Sequence, residues 1–403
     1  MYSLIIKMAW KNSFLRPART LLVIVMIAVS MSMMLGIQGL YDGMAENMID
    51  KNRRSGSGDI SLYAKEYRTQ KDLKYRIKNA SAIKNELKDI QSVKSVVSRT
   101  RAEGLLSTAR KSSFSFMQGI NLKEENYFGR FSEFLKEGEI KLENGDAVIG
   151  LELAKKLKLH IGSKVVFSTQ DTAGEINSIA LKIRGIIQST NVELDGGAIF
   201  IDIENMHHFL GITSGDATQI ALFCEDEKLI DKLRVKYPKF DVKSFLELQP
   251  MMKMMQDVMF IFNSVTFFIV MSVVFVGIFG VMYVSILDRI REFGIMLSIG
   301  MRYKYIKLQI FLEALFVGFV GYLGGAIFGV ILLVYLRDYG VDLSSFSDAL
   351  EMWGYEAVIH GTIKFSYFTT TFVAIIAASL LSVIIPLRKI KKLNPIEVIK
   401  AEK

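Results

Sequence analysis

Few residues of this chain could act as nucleophiles or metal ligands. Its single cysteine, Cys224, can form no internal disulfide, and its four histidines are His160, His207, His208 and His360. His207 and His208 are sequence neighbours, which cannot share one face of a helix. The sequence also lacks the G-x-x-x-x-G-K-[ST], H-E-x-x-H and C-x-x-C motifs of phosphate, zinc and thiol chemistry. We therefore predict no catalytic residue, no metal site and no cofactor bound by this chain, and we interpret the histidines as surface or packing residues.

Four long apolar runs dominate the rest of the sequence. They cover residues 20–41, 258–287, 314–336 and 365–387, and none of them contains a charged residue. Each holds at least ~20 residues, enough for a helix to cross the ~30 Å hydrocarbon core of a bilayer. The first run is longer than a secretory h-region and ends without an A-x-A-like site, so we expect an uncleaved anchor. The sequence therefore predicts a membrane α-helical fold with four transmembrane helices.

The charges that flank these runs predict the orientation of the chain. Residues 1–19, 288–313 and 388–403 are rich in Lys and Arg, whereas residues 337–364 are rich in Asp and Glu. Because short basic loops stay in the cytoplasm, we predict a cytoplasmic N-terminal segment, a cytoplasmic loop at 288–313 and a cytoplasmic tail. The segments 42–257 and 337–364 are then extracytoplasmic. We expect a multi-pass protein of the inner (cytoplasmic) membrane with both termini in the cytoplasm.

The formal net charge of +9 at pH 7 comes mostly from these basic segments, which anionic lipid headgroups attract. The charge therefore indicates contact with membrane lipids and gives no reason to expect a nucleic-acid partner. Within residues 1–19, apolar residues recur at roughly helical spacing as far as Pro17. This spacing favours a short amphipathic helix on the cytoplasmic face of the membrane over a frayed terminus.

Residues 42–257 alternate between strand-like and helix-like patterns. Ile179, Leu181 and Ile183 point to one face, which is the period-two signature of a half-buried strand. Similar patterns predict strands at 59–63, 93–100, 113–117, 164–169, 198–201 and 219–223, and helical spacing occurs at 83–90, 151–159 and 230–237. The sequence therefore predicts a large mixed α/β extracytoplasmic domain inserted between transmembrane helices 1 and 2. Its 216 residues are enough to build a core without a disulfide.

The energy for any transport must come from a second polypeptide or an ion gradient, because the sequence has no phosphate-binding loop. Ion-coupled transporters place ionisable groups near mid-membrane. The one candidate here is Glu313, which lies at the cytoplasmic end of the third span and not near mid-membrane. We favour a Glu313 that snorkels to the headgroups or pairs with Lys304 or Lys307 over one with a transport role. We therefore do not expect proton or sodium coupling.

The third span carries a glycine at every fourth position, namely Gly321, Gly325 and Gly329. This spacing leaves one helix face bare of side chains, so that another helix can approach closely. The partner is either another helix of this chain or a second subunit.

Three segments resemble a known family. The loop Asp288-Arg-Ile-Arg-Glu-Phe-Gly-Ile-Met-Leu-Ser-Ile-Gly-Met301 resembles the E-x-x-x-E-[FIL]-G-[IV]-L-x-A-[IL]-G signature of the FtsX/MacB-type permeases, the membrane subunits of a class of ABC systems. The start, Trp10-Lys-Asn-Ser-Phe-Leu-Arg-Pro-Ala-Arg-Thr20, and the tail, Leu393-Asn-Pro-Ile-Glu-Val-Ile-Lys400, are similar to that family's opening and closing motifs. With one span, a large outer domain and three further spans, the resemblance covers essentially the whole chain.

Within this family, the outer domain is most similar to the lipoprotein-releasing permeases LolC and LolE. The segments that carry this similarity are Ile149-Gly-Leu-Glu-Leu-Ala-Lys-Lys-Leu-Lys-Leu-His-Ile-Gly-Ser-Lys164 and Glu193-Leu-Asp-Gly-Gly-Ala-Ile-Phe-Ile-Asp202. Ser163-Lys164 replaces the Gly-Asp of those permeases, and no loop that would capture a periplasmic lipoprotein carrier can be identified.

The resemblance implies several partners. In such relatives the loop between spans two and three forms a short coupling helix that docks in a groove on a cytoplasmic ATPase dimer, which holds ATP and Mg²⁺. A second permease subunit, identical or different, and a periplasmic lipoprotein carrier are also implied. The residues expected at the docking contact are an apolar patch of Phe293, Ile295, Met296 and Leu297, an edge of Arg289, Arg291 and Glu292, and the glycines Gly294 and Gly300 for close approach or a helix cap.

The expected function is therefore that of a non-catalytic permease subunit, and three versions of it compete. The first is lipoprotein release from the inner membrane, and the second is MacB-like efflux or lipid export with another cargo. The third is FtsX-like mechanical signalling to cell-wall hydrolases, a subfamily whose outer domain is usually smaller. The Met-rich segments 26–40 and 251–262 either line a lipid-facing cavity between two subunits or pack in a core.

The charge asymmetry of the short loops generates a topology prediction. In a Cys224→Ser background, cysteines introduced by Ser168→Cys and Ser347→Cys should react with a membrane-impermeant thiol reagent in intact spheroplasts, because both positions are expected outside. A cysteine introduced by Ser298→Cys should react only after lysis. Labelling of that position in intact spheroplasts would overturn the four-span orientation.

Overall fold

The computed structural model describes residues 2–13, 17–189, 191–226, 228–346 and 357–391. The chain forms two compact units. We call Met1–Ala45, Gln256–Leu343 and Val358–Lys403 the helical unit, and Glu46–Met255 with Ser344–Ala357 the sheet unit. Position 347 and residues 392–403, which include the closing motif of the predicted cytoplasmic tail, lie outside the described residues.

Long helices build the helical unit. The α-helices of the described residues are α1 Tyr2–Ser13, α2 Pro17–Ser55, α3 Tyr67–Gln70, α4 Ala80–Lys88, α5 Leu122–Gly129, α6 Leu151–Leu157, α7 Val192–Gly197, α8 Ile203–Leu210, α9 Leu229–Lys236, α10 Phe245–Leu248, α11 Pro250–Asp288, α12 Ile290–Ser298, α13 Tyr303–Asp338, α14 Phe365–Ser382 and α15 Ile384–Lys391. Among the described residues, four helical stretches are long and apolar enough to cross a membrane, namely Pro17–Ser55, Pro250–Asp288, Tyr303–Asp338 and Phe365–Arg388. This confirms the prediction of four apolar helices.

The N-terminal segment is helical, as its spacing predicts. Ile5 and Ala9 are buried in the helical unit, whereas Lys7 and Lys11 are exposed. The Trp10 ring meets a ring of α13 edge-on, with 5.3 Å between the two centroids. Helix α1 is therefore amphipathic and packs on α13.

Helices α2 and α13 pack along the glycine stripe. A Cβ at Gly321 would lie 2.8 Å from Ile27 Cβ, and a Cβ at Gly325 would lie 2.7 Å from Met31 Cβ. A Cβ at Gly329 would collide with Leu35 in the same way. Because lipid gives helices no hydrophobic drive to associate, such close approach supplies the packing energy. The stripe is therefore a contact inside this chain.

A hydrogen bond and a second small-residue contact extend this packing. The Ser32 hydroxyl donates to the Gly325 carbonyl at 3.1 Å, and Gly318 faces the Ser379 side chain of α14. Met31 and Met34 are fully buried in the helical unit. Packing in the core is therefore the observed role of these methionines of segment 26–40.

The sheet unit is built on one mixed sheet. Its strands are β1 Ile60–Ala64, β2 Val93–Ser107, β3 Ser112–Ile120, β4 Leu135–Gly138, β5 Asp146–Gly150, β6 Lys164–Gln170, β7 Ile176–Ile187, β8 Ala198–Asp202, β9 Gln219–Cys224 and β10 Phe240–Ser244. The strand order is β10-β1-β9-β2-β3-β8-β5-β7-β4, with β6 paired to β2 and β7. The β3–β8 and β5–β7 pairs are parallel, and the other pairs are antiparallel. This confirms a mixed α/β fold. A separate two-stranded pair, β11 Val341–Asp342 and β12 Val358–Ile359, belongs to the helical unit.

Each predicted strand is present, but the sequence patterns missed strands β4, β5 and β10 of the sheet unit and the short pair β11 and β12. All five residues of β5 are buried. A strand covered on both faces has no polar alternation to reveal it. Strand β4 has the opposite pattern, since all four of its residues are exposed.

One buried ion pair lies in the sheet unit. Arg99 and Glu125 are 2% and 3% exposed, and their side chains meet at 2.5 and 2.7 Å. The Arg99 guanidinium also donates to the Gly56 carbonyl, just after the end of α2. Arg99 thus connects β2 to α5 through Glu125 and to the turn that follows α2 through Gly56.

The close approach of α2 and α13 generates a stability prediction. Gly325→Ala places a methyl group within 2.7 Å of Met31 Cβ and 3.1 Å of the Ala28 carbonyl. Overpacking of this kind costs about 1–3 kcal/mol, so the melting temperature in detergent should fall. The matched control is Gly280→Ala on α11, where the added Cβ meets no heavy atom of the described residues within 4 Å. Equal melting temperatures for the two variants would contradict the packing described here.

Candidate functional site

The predicted coupling loop forms a short helix between two long ones. Helix α11 ends at Asp288, and α12 begins at Ile290 and ends at Ser298. Gly300 follows with a φ of +91°, a left-handed conformation that glycine adopts without a Cβ penalty. The Gly300 and Met301 N–H groups donate to the carbonyls of Leu297 and Met296 at 3.1 and 3.0 Å. This is a Schellman motif, which fixes the end of α12.

A buried ion pair holds the start of α12 against α13. The Arg289 Nη1 lies 3.0 Å from both carboxylate oxygens of Glu313. The Gln309 amide donates to the same carboxylate at 3.1 Å, and Arg289 Nε reaches Glu292 at 3.1 Å. Arg289 is 8% exposed and Glu313 is 4% exposed. Removal of one member of such a pair leaves an uncompensated buried charge and costs about 3–5 kcal/mol.

The observed partner of Glu313 corrects the prediction made from sequence. We expected snorkelling or a pair with Lys304 or Lys307, but Glu313 pairs with Arg289. Lys304 and Lys307 are exposed, and their ammonium groups lie over the rings of Tyr305 and Phe311. A carboxylate buried this deeply needs a partner from an element packed against it, and the planar guanidinium supplies one.

The apolar residues of α12 divide between the core and the surface. Phe293, expected in the docking patch, is fully buried in the core of the helical unit, with the Arg289 guanidinium 5.1 Å from its ring centre. Met296 and Leu297 are partly buried and pack on the same core. Since residues three and four apart share a helix face, this face points inward. Ile295 points outward and is 48% exposed.

The remaining predicted residues also have defined places. Arg291 and Glu292 are exposed, and Gly294 is buried and accepts a hydrogen bond from the Ser298 hydroxyl at 2.9 Å. Ile299, which sequence reasoning missed, is 78% exposed. Its signal in the sequence is an apolar residue directly before the glycine that ends the helix. The exposed apolar surface of this loop is therefore formed by Ile295 and Ile299.

A cavity of about 260 Å³ adjoins the ion pair within the helical unit. Its charged lining consists of Arg19, Asp288, Arg289, Glu292 and Glu313. Arg19 Nη1 lies 2.7 Å from an Asp288 carboxylate oxygen. Each cation that lines the cavity therefore has an acidic partner, and the arrangement is that of a structural ion-pair network.

The histidines have no catalytic arrangement. His207 is buried, and its Nε2 lies 2.9 Å from the Thr100 hydroxyl. Burial lowers the pKa of His207, so the ring is neutral at pH 7. His160, His208 and His360 are exposed. Across the part of the chain that the structure describes, no group of three or more His, Cys, Asp or Glu residues could hold a metal ion.

Comparisons with known proteins match both parts of the chain. Residues 20–235 match the family described as the MacB-like periplasmic core domain, which covers more than half of the chain. Residues 264–395 match the FtsX-like permease C-terminal family.

Individual relatives are distant in sequence. The chain is 22% identical to the macrolide export ATP-binding/permease protein MacB of Haemophilus ducreyi, over 98% of this chain and 56% of that protein. It is 23% identical to an uncharacterised ABC transporter permease of Methanocaldococcus jannaschii, over 99% of this chain and 98% of that protein. It is 24% identical to the lipoprotein-releasing system transmembrane protein LolC of Haemophilus influenzae, over 52% of this chain and 53% of that protein. The chain thus spans little more than half the length of this MacB relative.

The ion pair generates a double-mutant prediction. Glu313→Met alone should destabilise the protein by about 3–5 kcal/mol, because it leaves the Arg289 guanidinium buried without its main partner. Arg289→Met with Glu313→Met removes both charges and should recover most of that loss. Chemical denaturation of the purified protein in detergent measures both values. A double variant as unstable as the sum of the two single variants would show that the two groups do not act as a pair.

Proposed function

We propose, from the premise that this chain belongs to the FtsX/MacB-type ABC transporter permeases, that it couples a separate cytoplasmic ATPase dimer to the extracytoplasmic extrusion of a lipid-modified substrate. The chain itself binds no nucleotide, and ATP and Mg²⁺ belong to the ATPase. It is a multi-pass protein of the inner membrane with both termini in the cytoplasm. Residues 42–257 and 337–364 are extracytoplasmic. The basic short segments 1–19, 288–313 and 388–403 support this orientation.

The observation that carries the proposal is the structure of α12. The helix is fixed at its start by the Arg289–Glu313 pair and at its end by the Schellman motif. Ile295 and Ile299 remain exposed between charged residues. A short rigid helix that presents two apolar side chains fits a groove on a partner protein.

The ion pair gives the proposed docking helix a direct mechanical link. A displacement of α12 by the ATPase acts on α13 through the 3.0 Å contact between Arg289 and Glu313. Phe293, buried in the same core, adds a packing contact that resists rotation of α12. ATP-driven movement of the two ATPase subunits would thus move the spanning helices and not the loop alone.

A second copy of a permease subunit, identical or different, completes the proposed transporter. In the most apolar stretch of α11, 17% of the residues are buried within this chain, whereas 44% are buried in the corresponding stretch of α2. The exposed side chains of the α11 stretch include Phe268, Ile269 and Val276. We assign this surface to lipid and to the second permease subunit.

Two cargoes remain in competition. Lipoprotein release, with a periplasmic lipoprotein carrier as a further partner, is supported by the outer-domain motifs and by the LolC relative. MacB-like export is supported by the longer alignment, since 98% of this chain aligns with the Haemophilus ducreyi MacB and 52% aligns with LolC.

The docking surface generates the test of this proposal. Ile295→Asp places a carboxylate in the groove contact, and burial of such a charge without a partner costs several kcal/mol. Each ~1.4 kcal/mol is a tenfold change in affinity, so recovery of the cognate ATPase with the co-expressed, purified permease should fall by at least tenfold. Ile295→Leu should retain the ATPase.

The matched control is Ile161→Asp, which makes the same change at an isoleucine of the sheet unit with a similar exposure of 44%. It should leave recovery of the ATPase unchanged. Loss of the ATPase with Ile161→Asp would indicate a general defect. Full recovery with both Ile295→Asp and Ile299→Asp would show that α12 is not the docking element.

A further inference from the structure

The sheet unit contains a polar pocket that the proposed transport function does not use. Its volume is about 170 Å³, well above the roughly 10–15 Å³ that one water molecule requires. Strands β1, β2 and β3 and helix α3 contribute its walls. All of its lining residues belong to the sheet unit.

The lining of this pocket is strongly basic. Arg68, Lys71, Arg99 and Arg101 line it, and Glu193 is the acidic residue among the lining side chains. Arg99 is neutralised by its buried pair with Glu125, so Arg68, Lys71 and Arg101 are the cations that can attract an anion.

The cations at the mouth are held by ion pairs at their edges. Arg101 Nη2 lies 2.7 Å from Glu193, Arg68 Nη1 lies 3.3 Å from Asp241, and Lys71 Nζ lies 3.8 Å from Glu103. Each contact uses only some of the N–H donors of its Arg or Lys side chain, so the other donors of that group remain available. The pairs therefore orient these side chains without using all of their hydrogen-bonding capacity.

Two donors of the pocket are unused. The Arg101 Nε is buried and has no hydrogen-bond partner in the described part of the chain. Gln118, which lies opposite Arg101 in the β2–β3 ladder, is 6% exposed and lines the pocket. Its side-chain amide likewise makes no hydrogen bond to any described residue. Buried polar groups are normally hydrogen-bonded, so the Arg101 Nε indicates an absent acceptor, and the Gln118 amide is a further donor at the pocket.

The aromatic residues around the pocket hold these groups in place. The rings of Tyr63 and Tyr67 stack at 6.4 Å, and the Tyr67 hydroxyl donates to the Arg101 carbonyl at 2.7 Å. The Arg101 guanidinium lies 3.6 Å from the centre of the Phe116 ring. Burial, and after it the nearby Arg101, lower the pKa of Lys71.

We propose that this pocket binds a phosphate monoester group, with Arg68, Lys71 and Arg101 as the cationic contacts and Gln118 as a neutral donor. A phosphate monoester carries close to two negative charges and three acceptor oxygens, which matches a site with several cations and unused donors. Its volume accommodates such a group and leaves the rest of the ligand outside. The group belongs either to a soluble metabolite or to a lipid headgroup. This inference is independent of the ATPase and of the cargo.

The test is titration calorimetry on the full-length chain in a phosphate-free glycoside detergent. Inorganic phosphate should bind saturably, with one site per chain. Lys71→Gln and Arg68→Gln should each raise the dissociation constant for inorganic phosphate by about tenfold. Lys94→Gln, an exposed lysine of the same unit with a side chain 63% exposed, is the matched control and should leave it unchanged.

Glycerol 3-phosphate and dihexanoyl phosphatidic acid distinguish the two sources. Tighter binding of phosphatidic acid than of glycerol 3-phosphate would assign the site to a lipid headgroup, and equal binding would assign it to a soluble ester. Binding that is absent for all three ligands overturns the proposal, as does binding that Lys94→Gln weakens as much as Lys71→Gln. Lys71 has a side chain 40% exposed, so Lys71→Gln should fold. Its melting temperature, compared with that of the unsubstituted chain, verifies this.

Discussion

The ion pair between Arg289 and Glu313 is the charged contact on which the arrangement of the helical unit depends. Arg289 is the single residue between α11 and α12, and Glu313 lies in α13, so one contact joins three helices. Both groups are buried, and removal of either would leave the other as an uncompensated buried charge. The planar guanidinium directs Nη1 to Glu313 and Nε to Glu292, two fixed directions that a lysine ammonium would not reproduce. The pair therefore determines how α12 is oriented, whatever it adds to stability.

Close packing between helices determines the rest of the helix arrangement in the helical unit. Once α13 is held at its start by the ion pair, its glycine face meets α2 further along, where Gly325 allows the approach of Met31. The Ser32 hydroxyl donates both to its own helix and across to α13. Apolar burial cannot drive these contacts in lipid, so small residues and a few hydrogen bonds have to select one arrangement. The glycine contacts along the length and the Ser32 hydrogen bond therefore fix the register of α2 against α13.

The sequence predicted features that depend on local patterns and missed those that depend on tertiary contacts. The four apolar helices and the amphipathic strands follow from periodicity, and the glycine spacing predicted close approach without its partner. Strand β5 was missed because burial on both faces removes the alternation. The partner predicted for Glu313 was wrong, because the observed partner, Arg289, lies 24 residues away, between α11 and α12. Phe293 was misplaced because apolar residues on both faces of α12 look alike in sequence. The pocket at Arg101 is lined by seven separate segments of the chain and has no sequence signature.

The division of α12 into a buried and an exposed face explains how one short helix can meet two demands. A docking element must present apolar side chains to its partner, yet an element held only by its flanking loops would yield when the partner moves. Here the inward face, with Phe293 and Arg289, is fixed by packing and by charge, while Ile295 stands on the outward face. A force applied to the outward face would then act on a helix that deforms little. The end of α12 is fixed because the left-handed Gly300 closes it in a hydrogen-bonded turn. The same residues that keep a charge in the core therefore hold α12 in one orientation, as the proposed coupling role requires.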